Sequence, residues 1–226
     1  MTLSGTDTKA NYLAALKSVK YVNTSENPNI SNRSVSFSAT DGLLNSNTVS
    51  RTIQINSING APTSANNTVT TNEDVDKIFS DTDFPYTDIE GDALAKVMVT
   101  SLESAGSLYL DLNGNSVINA GEDITLNQEI LVTQLSFLKF KPAANANGTA
   151  YATFGFKVND GSVYAVAENT MTINVLAVND APTSADNAVT IVEDNQKTFA
   201  SAEFPFSDID AGDVLTKIRI ASLPGA

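Results

Sequence analysis

Phe154-Gly155-Phe156-Lys157-Val158-Asn159-Asp160-Gly161 sets an apolar residue at every second position and then stops at an Asp-Gly turn. That is the period of a strand with one face buried. Met171, Ile173 and Val175 alternate in the same way downstream, Val97 and Val99 mark another strand, and Val69 a weaker one. Turns of the Asn-Gly kind at Asn113-Gly114 and Asn147-Gly148 punctuate these runs. Short alternating strands with frequent turn signals over about 100 residues predict an all-β fold of two packed sheets. One stretch, Ala10 to Leu16, reads as helical. It is too short to stand alone, and its expected role is a helical turn capping the sandwich.

The same pattern occurs earlier in the chain. Phe37, Asp41 and Gly42 align with Phe156, Asp160 and Gly161, and Ile53 and Ile55 align with Ile173 and Val175. Further along, Ala61-Pro62-Thr63-Ser64-Ala65 recurs 120 positions on as Ala181-Pro182-Thr183-Ser184-Ala185. At that spacing Glu73-Asp74 matches Glu193-Asp194, Phe84-Pro85 matches Phe204-Pro205, and Asp88-Ile89 matches Asp208-Ile209. After one inserted residue, Gly91-Asp92 matches Gly212-Asp213 and Lys96 matches Lys217. Self-similarity at a fixed period is the mark of a tandem array. The expected organisation is the back half of one repeat over 1–60, a complete repeat over 61–180, and the front half of the next over 181–226. The array is then truncated at both ends, and any export signal lies outside this chain.

Composition excludes much chemistry. The chain has no Cys, no His and no Trp. Disulfides, thiol nucleophiles, zinc thiolates, imidazole ligands and His-based triads are all ruled out. The net charge is -13. Such a surface repels nucleic acid and anionic lipid and attracts hard, oxygen-loving cations. No apolar run reaches the length of a membrane span, so no membrane insertion is expected. Only 17% of residues are charged. The polar share therefore falls on Ser, Thr, Asn and Gly, residues of strands and turns.

The order of these motifs resembles a known family. Ala177-Val-Asn-Asp-Ala-Pro182 opens a repeat, the acidic pair Glu193-Asp194 follows, then Phe204-Pro-Phe-Ser-Asp-Ile-Asp-Ala-Gly-Asp213. Late in the complete repeat come Pro142-Ala-Ala-Asn-Ala-Asn-Gly148 and Val158-Asn-Asp-Gly161. The arrangement is similar to the bacterial cadherin-like and immunoglobulin-like tandem repeats of large RTX-type surface adhesins. That resemblance implies tandem Greek-key β-sandwiches, stiffened by Ca²⁺ and placed outside the cell or on the bacterial surface. It also implies neighbouring repeats, and cell-surface glycans or proteins, as partners.

The resemblance carries a ligand set to each junction between repeats. At the rear junction Glu73 supplies the base of one sandwich, Asn179 and Asp180 the linker, and Asp208, Asp210 and Asp213 the top of the next. At the front junction the top ligands are Asp88, Glu90, Asp92 and Asp160. There the linker reads Asn59-Gly60, with Gly where Asp180 stands, so a weaker or empty site is expected. A third candidate comes from the residues themselves. Asp111, Asn113, Asn115, Val117, Asn119 and Glu122 fit the first, third, fifth, seventh, ninth and twelfth positions of an EF-hand loop. Ser116 stands at the sixth position, where that loop has Gly, and two ligands are neutral Asn. The bland alternative is a hairpin turning at Asn113-Gly114.

Paired carboxylates can run glycoside hydrolysis without His, but nothing in the sequence sets one of them in an apolar pocket. The expectation is a non-enzymatic, Ca²⁺-binding spacer. The alternative is a carbohydrate-binding module, or the linker array of an extracellular polysaccharide-active protein. Tyr109, Tyr151 and Tyr164 are its candidate exposed aromatics. Phe84, Tyr86, Phe204 and Phe206 recur beside Pro and read as structural plugs.

Overall fold

The Phe154–Val158 alternation lies within the longest strand of a computed structural model that describes residue 5 and residues 7–222. Among the described residues ten strands and one α-helix form. They are α1 (Lys9–Ser18), β1 (Arg33–Phe37), β2 (Val49–Ile53), β3 (Asn67–Asn72), β4 (Lys77–Ile78) and β5 (Lys96–Ser101). After these come β6 (Ser107–Leu110), β7 (Glu129–Leu131), β8 (Leu138–Lys141), β9 (Gly148–Asn159) and β10 (Asn169–Leu176). The strands make a five-stranded sheet in the order β3-β10-β9-β5-β7, a three-stranded sheet β4-β8-β6, and a separate β1–β2 ribbon. The fold is an all-β sandwich. Its large sheet is antiparallel except at one edge, where β3 joins β10 in parallel, with Val69 opposite Ile173.

Burial follows the alternation. Phe154, Phe156, Val158, Met171, Ile173, Val175, Val97 and Val99 are all buried, and they pack against Leu108, Phe140 and Leu138 of the small sheet. Aromatic rings lock the two halves of the sandwich together. Phe156 meets Phe84 edge-on at 5.1 Å, and Phe154 meets Phe79 edge-on at 5.7 Å. Gly155 stands between the two core phenylalanines because its outer side is already filled. A Cβ there would lie 2.5 Å from Ser101 Oγ and 2.7 Å from Thr100 Oγ1. The β5–β9 ladder shifts register opposite it, between Val99 and Ser101.

The core runs from Val69 to Val175, and no buried hydrophobic residue lies outside that span among the described residues. The helix differs from its expected role. It extends over Lys9–Ser18, is capped by the Thr8 hydroxyl, and buries none of its side chains, so it does not cap the sandwich. Its apolar residues do not gather on one face, and there is nothing for a core to hold.

Candidate metal sites at the ends of the sandwich

At the front end the acids converge on the loop after β4. One Asp88 oxygen accepts from three successive backbone amides, those of Glu90, Gly91 and Asp92, at 2.9, 3.0 and 3.1 Å. The other, Oδ2, is buried without any partner. Asp160 arrives from the end of β9. It accepts the Asn59 side-chain amide at 2.8 Å and the Ser162 and Val163 backbone amides at 2.6 and 2.7 Å. Burial works against its charge, yet those hydrogen bonds outweigh it and hold the carboxyl below its usual range. The Tyr86 hydroxyl donates to the Asp92 carbonyl at 2.9 Å. Burial first, then the charges of Asp88, Asp160 and Asp92, push its pKa up to about 12. Glu90 turns toward the linker and accepts from the Gly60 amide at 3.3 Å.

The rear end uses the opposite ends of the strands. Glu73, just past β3, is buried at 3% exposure. Its Oε1 accepts the Val178 amide at 2.6 Å and its Oε2 accepts the Asn147 side-chain amide at 3.0 Å, which ties the linker to the sandwich. The Asp180 amide donates to Asp210 at 2.6 Å. Desolvation first, then the charges of Asp210, Asp74, Glu73 and Asp208, raise the Asp180 carboxyl above its ordinary pKa. Asp208, Asp210 and Asp213 each offer a carboxylate oxygen, and these lie within 4.8 Å of one another, a cluster able to hold a metal ion. Of the set taken from the linker motifs, the structure brings together Asp208, Asp210 and Asp213, with the Asp180 amide on Asp210, while the Asn179 side chain donates to the Asp180 carbonyl at 2.6 Å. Two further residues join this end. Asp74 adopts a left-handed backbone with φ of 58°. The Asn145 backbone amide donates to Asp74 Oδ1 at 3.0 Å, and with its carboxamide turned so that the nitrogen faces the acids, the side chain donates to Asp74 and Asp180, both at 3.1 Å. The repeated Glu-Asp pair and the Asn145-Ala-Asn147 run were the available signals for them.

The Asp111–Glu122 loop closes differently. Asp111 is fully buried. Its oxygens accept the Asn115 and Ser116 amides at 3.1 and 3.0 Å and the Lys139 ammonium at 2.6 Å. The Lys139 hydrogen bond, opposed by burial, holds its carboxyl below the usual range. Asn113, Asn115, the Val117 carbonyl, Asn119 and Glu122 do converge. The Asn119 side-chain amide donates to Val117 O at 2.8 Å and Glu122 at 3.0 Å, and Asn113 donates to Glu122 at 2.7 Å. Ser116 adopts a φ of 56°, the left-handed turn that the sixth position demands. A cation, the Lys139 ammonium, thus already sits on the first ligand.

Tyr109 is not exposed. It is completely buried, and its hydroxyl donates to Asp76 at 2.7 Å. Leu108, Tyr109 and Leu110 are all covered, because β6 is overlaid on both faces and Tyr109 bridges to Asp123. Phe84 is likewise buried, as a plug should be.

No protein-family profile matches the chain, and no solved structure does. The chain is 27% identical over 198 residues to a protein named Integrin beta-like protein A, from Dictyostelium discoideum. The match covers 86% of this chain, and the chain spans about a tenth of that relative's length.

Proposed function

We propose that this chain is a non-enzymatic spacer of tandem cadherin-like β-sandwich repeats, whose junctions take Ca²⁺ and which works on a cell surface or outside the cell, in an adhesin of the RTX type. The observation that carries the reading is the rear end of the sandwich. Asp208, Asp210 and Asp213 bring carboxylate oxygens within 4.8 Å of one another, desolvation first and then the charges of Asp210, Asp74, Glu73 and Asp208 raise the pKa of Asp180, and such a group of like charges calls for a cation. Ca²⁺ takes about six to eight oxygens, and carboxylates, an Asn carbonyl and backbone carbonyls are its usual donors. At the front end the orphaned, buried Oδ2 of Asp88 fits the same need. Asp88, Glu90, Asp92, Asp160 and Asn59 would hold the ion there. A bound ion supplies charge neutralisation, and with it a stiff linker between sandwiches. Without it the acids repel across the linker.

The similarity to a stretch of an integrin beta-like protein supports an outward-facing role, and among the described residues no helix is long and apolar enough to cross a membrane. Thermal unfolding in millimolar Ca²⁺, in chelator, and in NaCl of equal ionic strength tests the proposal. A ligand at about 100 times its Kd adds about 2.7 kcal/mol of stability. Ca²⁺ should raise the Tm above the NaCl value, and Asp208→Asn with Asp210→Asn should remove most of that gain. A shift that NaCl reproduces, or one that the double variant keeps, overturns it.

A further inference from the structure

Asn-Gly steps occur at 59–60, 113–114 and 147–148. Such a step is chemically labile. With no side chain on the glycine, its backbone nitrogen is free to reach the carbonyl carbon of the asparagine side chain. The fold restrains two of these steps. Asn113 is pinned at both ends of its carboxamide, accepting the Asn115 amide at 3.0 Å and donating to Glu122 at 2.7 Å. Asn147 donates to the buried Glu73 at 3.0 Å, and Gly148 stands in the β9–β10 ladder opposite Val175.

Asn59-Gly60, in the front linker, is set differently. The Asn59 carboxamide folds back along the next peptide unit, its Nδ2 donating to the Gly60 carbonyl and to Asp160 Oδ2, both at 2.8 Å. Gly60 belongs to no strand, and its amide points at Glu90 Oε2, 3.3 Å away. A carboxylate at that distance is placed to take the amide proton. Asp160, on the other side, is held ionised by its hydrogen bonds, Asn59 first among them. The amide of Asn59 is therefore both the anchor of the front linker and the group most exposed to attack from its own backbone.

We propose that Asn59 is a site of spontaneous deamidation with Glu90 as the base, and that the reaction turns the front linker from a hydrogen-bonded joint into a cation-dependent one. The Gly60 nitrogen gives its proton to Glu90 and bonds to Asn59 Cγ. The Cγ–Nδ2 bond then breaks, and the nitrogen leaves as ammonia, taking that proton with it. A succinimide spans positions 59 and 60. Water opens it at one carbonyl or the other, leaving an aspartyl or an isoaspartyl residue at position 59. No redox partner or enzyme is required. The product carries a carboxylate where Nδ2 had donated to Asp160, so an attraction becomes a repulsion between like charges. A cation relieves that repulsion, and the front linker gains a carboxylate of the kind Asp180 gives the rear one. The deamidation needs no metal. Its consequence rests on the reading of the sandwich ends as Ca²⁺ sites.

The test is peptide mapping by mass spectrometry after the full chain is incubated at neutral pH in chelator. Position 59 should convert ahead of 113 and 147 in the folded chain, and in urea the three should convert at similar rates. Glu90→Gln should slow position 59 severalfold and leave the other two unchanged. Gly60→Ala should nearly stop it. Gly60 lies outside the left-handed region, and an added Cβ would meet only side-chain atoms, of Glu90 and Ile89, so that variant keeps the fold. Conversion at 59 no faster than at 113 or 147, or a rate that Glu90→Gln leaves unchanged, overturns the proposal. Asn59→Asp stands in for the aspartyl product. It should lower the Tm in chelator, and Ca²⁺ should restore it. An unchanged Tm in chelator overturns the claimed switch. A Tm that falls and is not restored by Ca²⁺ overturns the Ca²⁺ reading of the front end, and with it the cation-dependent joint, while the conversion rates still decide the deamidation itself.

Discussion

Gly60 and Asp180 hold equivalent linker positions, and their partners differ in step. The Gly60 amide meets the long Glu90 side chain, while the Asp180 amide meets the shorter Asp210. A Cβ on Gly60 would lie 3.1 Å from Glu90 Oε2. Gly60→Asp alone would thus push a carboxylate against another one. Gly60→Asp combined with Glu90→Asp recreates the rear pattern and should tighten Ca²⁺ binding at the front end. Asp180→Gly should weaken it at the rear, both read by calorimetry. Asp180 also has a pH signature. Its folded pKa is raised, so the folded state binds the proton more tightly, and its contribution improves as pH falls toward 3.8 and worsens above. In chelator, Asp180→Asn should therefore raise the Tm at pH 7 and lose that advantage by about pH 4. In Ca²⁺ the same change should lower the Tm. Asp111 has the opposite sign. Its folded pKa is depressed, so its contribution is present above 3.8 and is lost as pH falls through the lower folded value. Lys139→Met leaves that buried carboxylate without its cation and should lower the Tm at pH 7. It should also make the loop's stability respond to Ca²⁺. No Ca²⁺ response in that variant would show that Lys139 is the only cation the loop accepts.

At the scale of elements, β1–β2 and β9–β10 are the same ladder in two settings. A two-stranded ribbon is marginal in water, whereas a ladder flanked on both sides and faced by a second sheet is not. Amide exchange should be fast in β1 and β2 and slow in β9 and β10 under dilute conditions. Equal protection in the two would contradict the description of β1–β2 as an uncovered ribbon. Phe156 fills the contact with Phe84 across the core. Phe156→Ala should cost about 3–5 kcal/mol, read by denaturant unfolding. Phe37→Ala, at the equivalent place on the ribbon, should cost little in dilute solution.

Among the described residues the buried hydrophobic side chains, Tyr109 apart, form one cluster between Val69 and Val175. Limited proteolysis should cut on both sides first and leave a fragment close to 61–180. Uniform resistance along the chain would contradict that prediction. The net charge of -13 spreads over a fold with few compensating ion pairs, among them Lys77–Asp83, Lys96–Glu129 and Lys139–Asp111. Multivalent cations rather than added NaCl should therefore be the effective stabiliser, because an ion pinned among several carboxylates is screened less than exposed charges are.

The sequence by itself determined the β architecture and the core positions of β5, β9 and β10, and its repeated Asp-rich loop marked Asp208, Asp210 and Asp213, whose oxygens lie within 4.8 Å of one another. Alternation and turn residues are local properties, and a repeat brings its own second reading of each position. The parallel seam of β3 on β10, the burial of Tyr109 and the ammonium of Lys139 on Asp111 were decided only by the tertiary structure. Lys139 lies 28 positions from Asp111 and reaches it because β8 pairs with β6, setting Leu138 opposite Leu110. Tyr109 alternates out of the core and is buried all the same, its hydroxyl held by Asp76 from 33 positions away. Asp74 and Asn145 join the rear acids through a left-handed turn and a loop 71 positions away. Such contacts depend on which strands become neighbours, and a local pattern along the chain does not encode that choice.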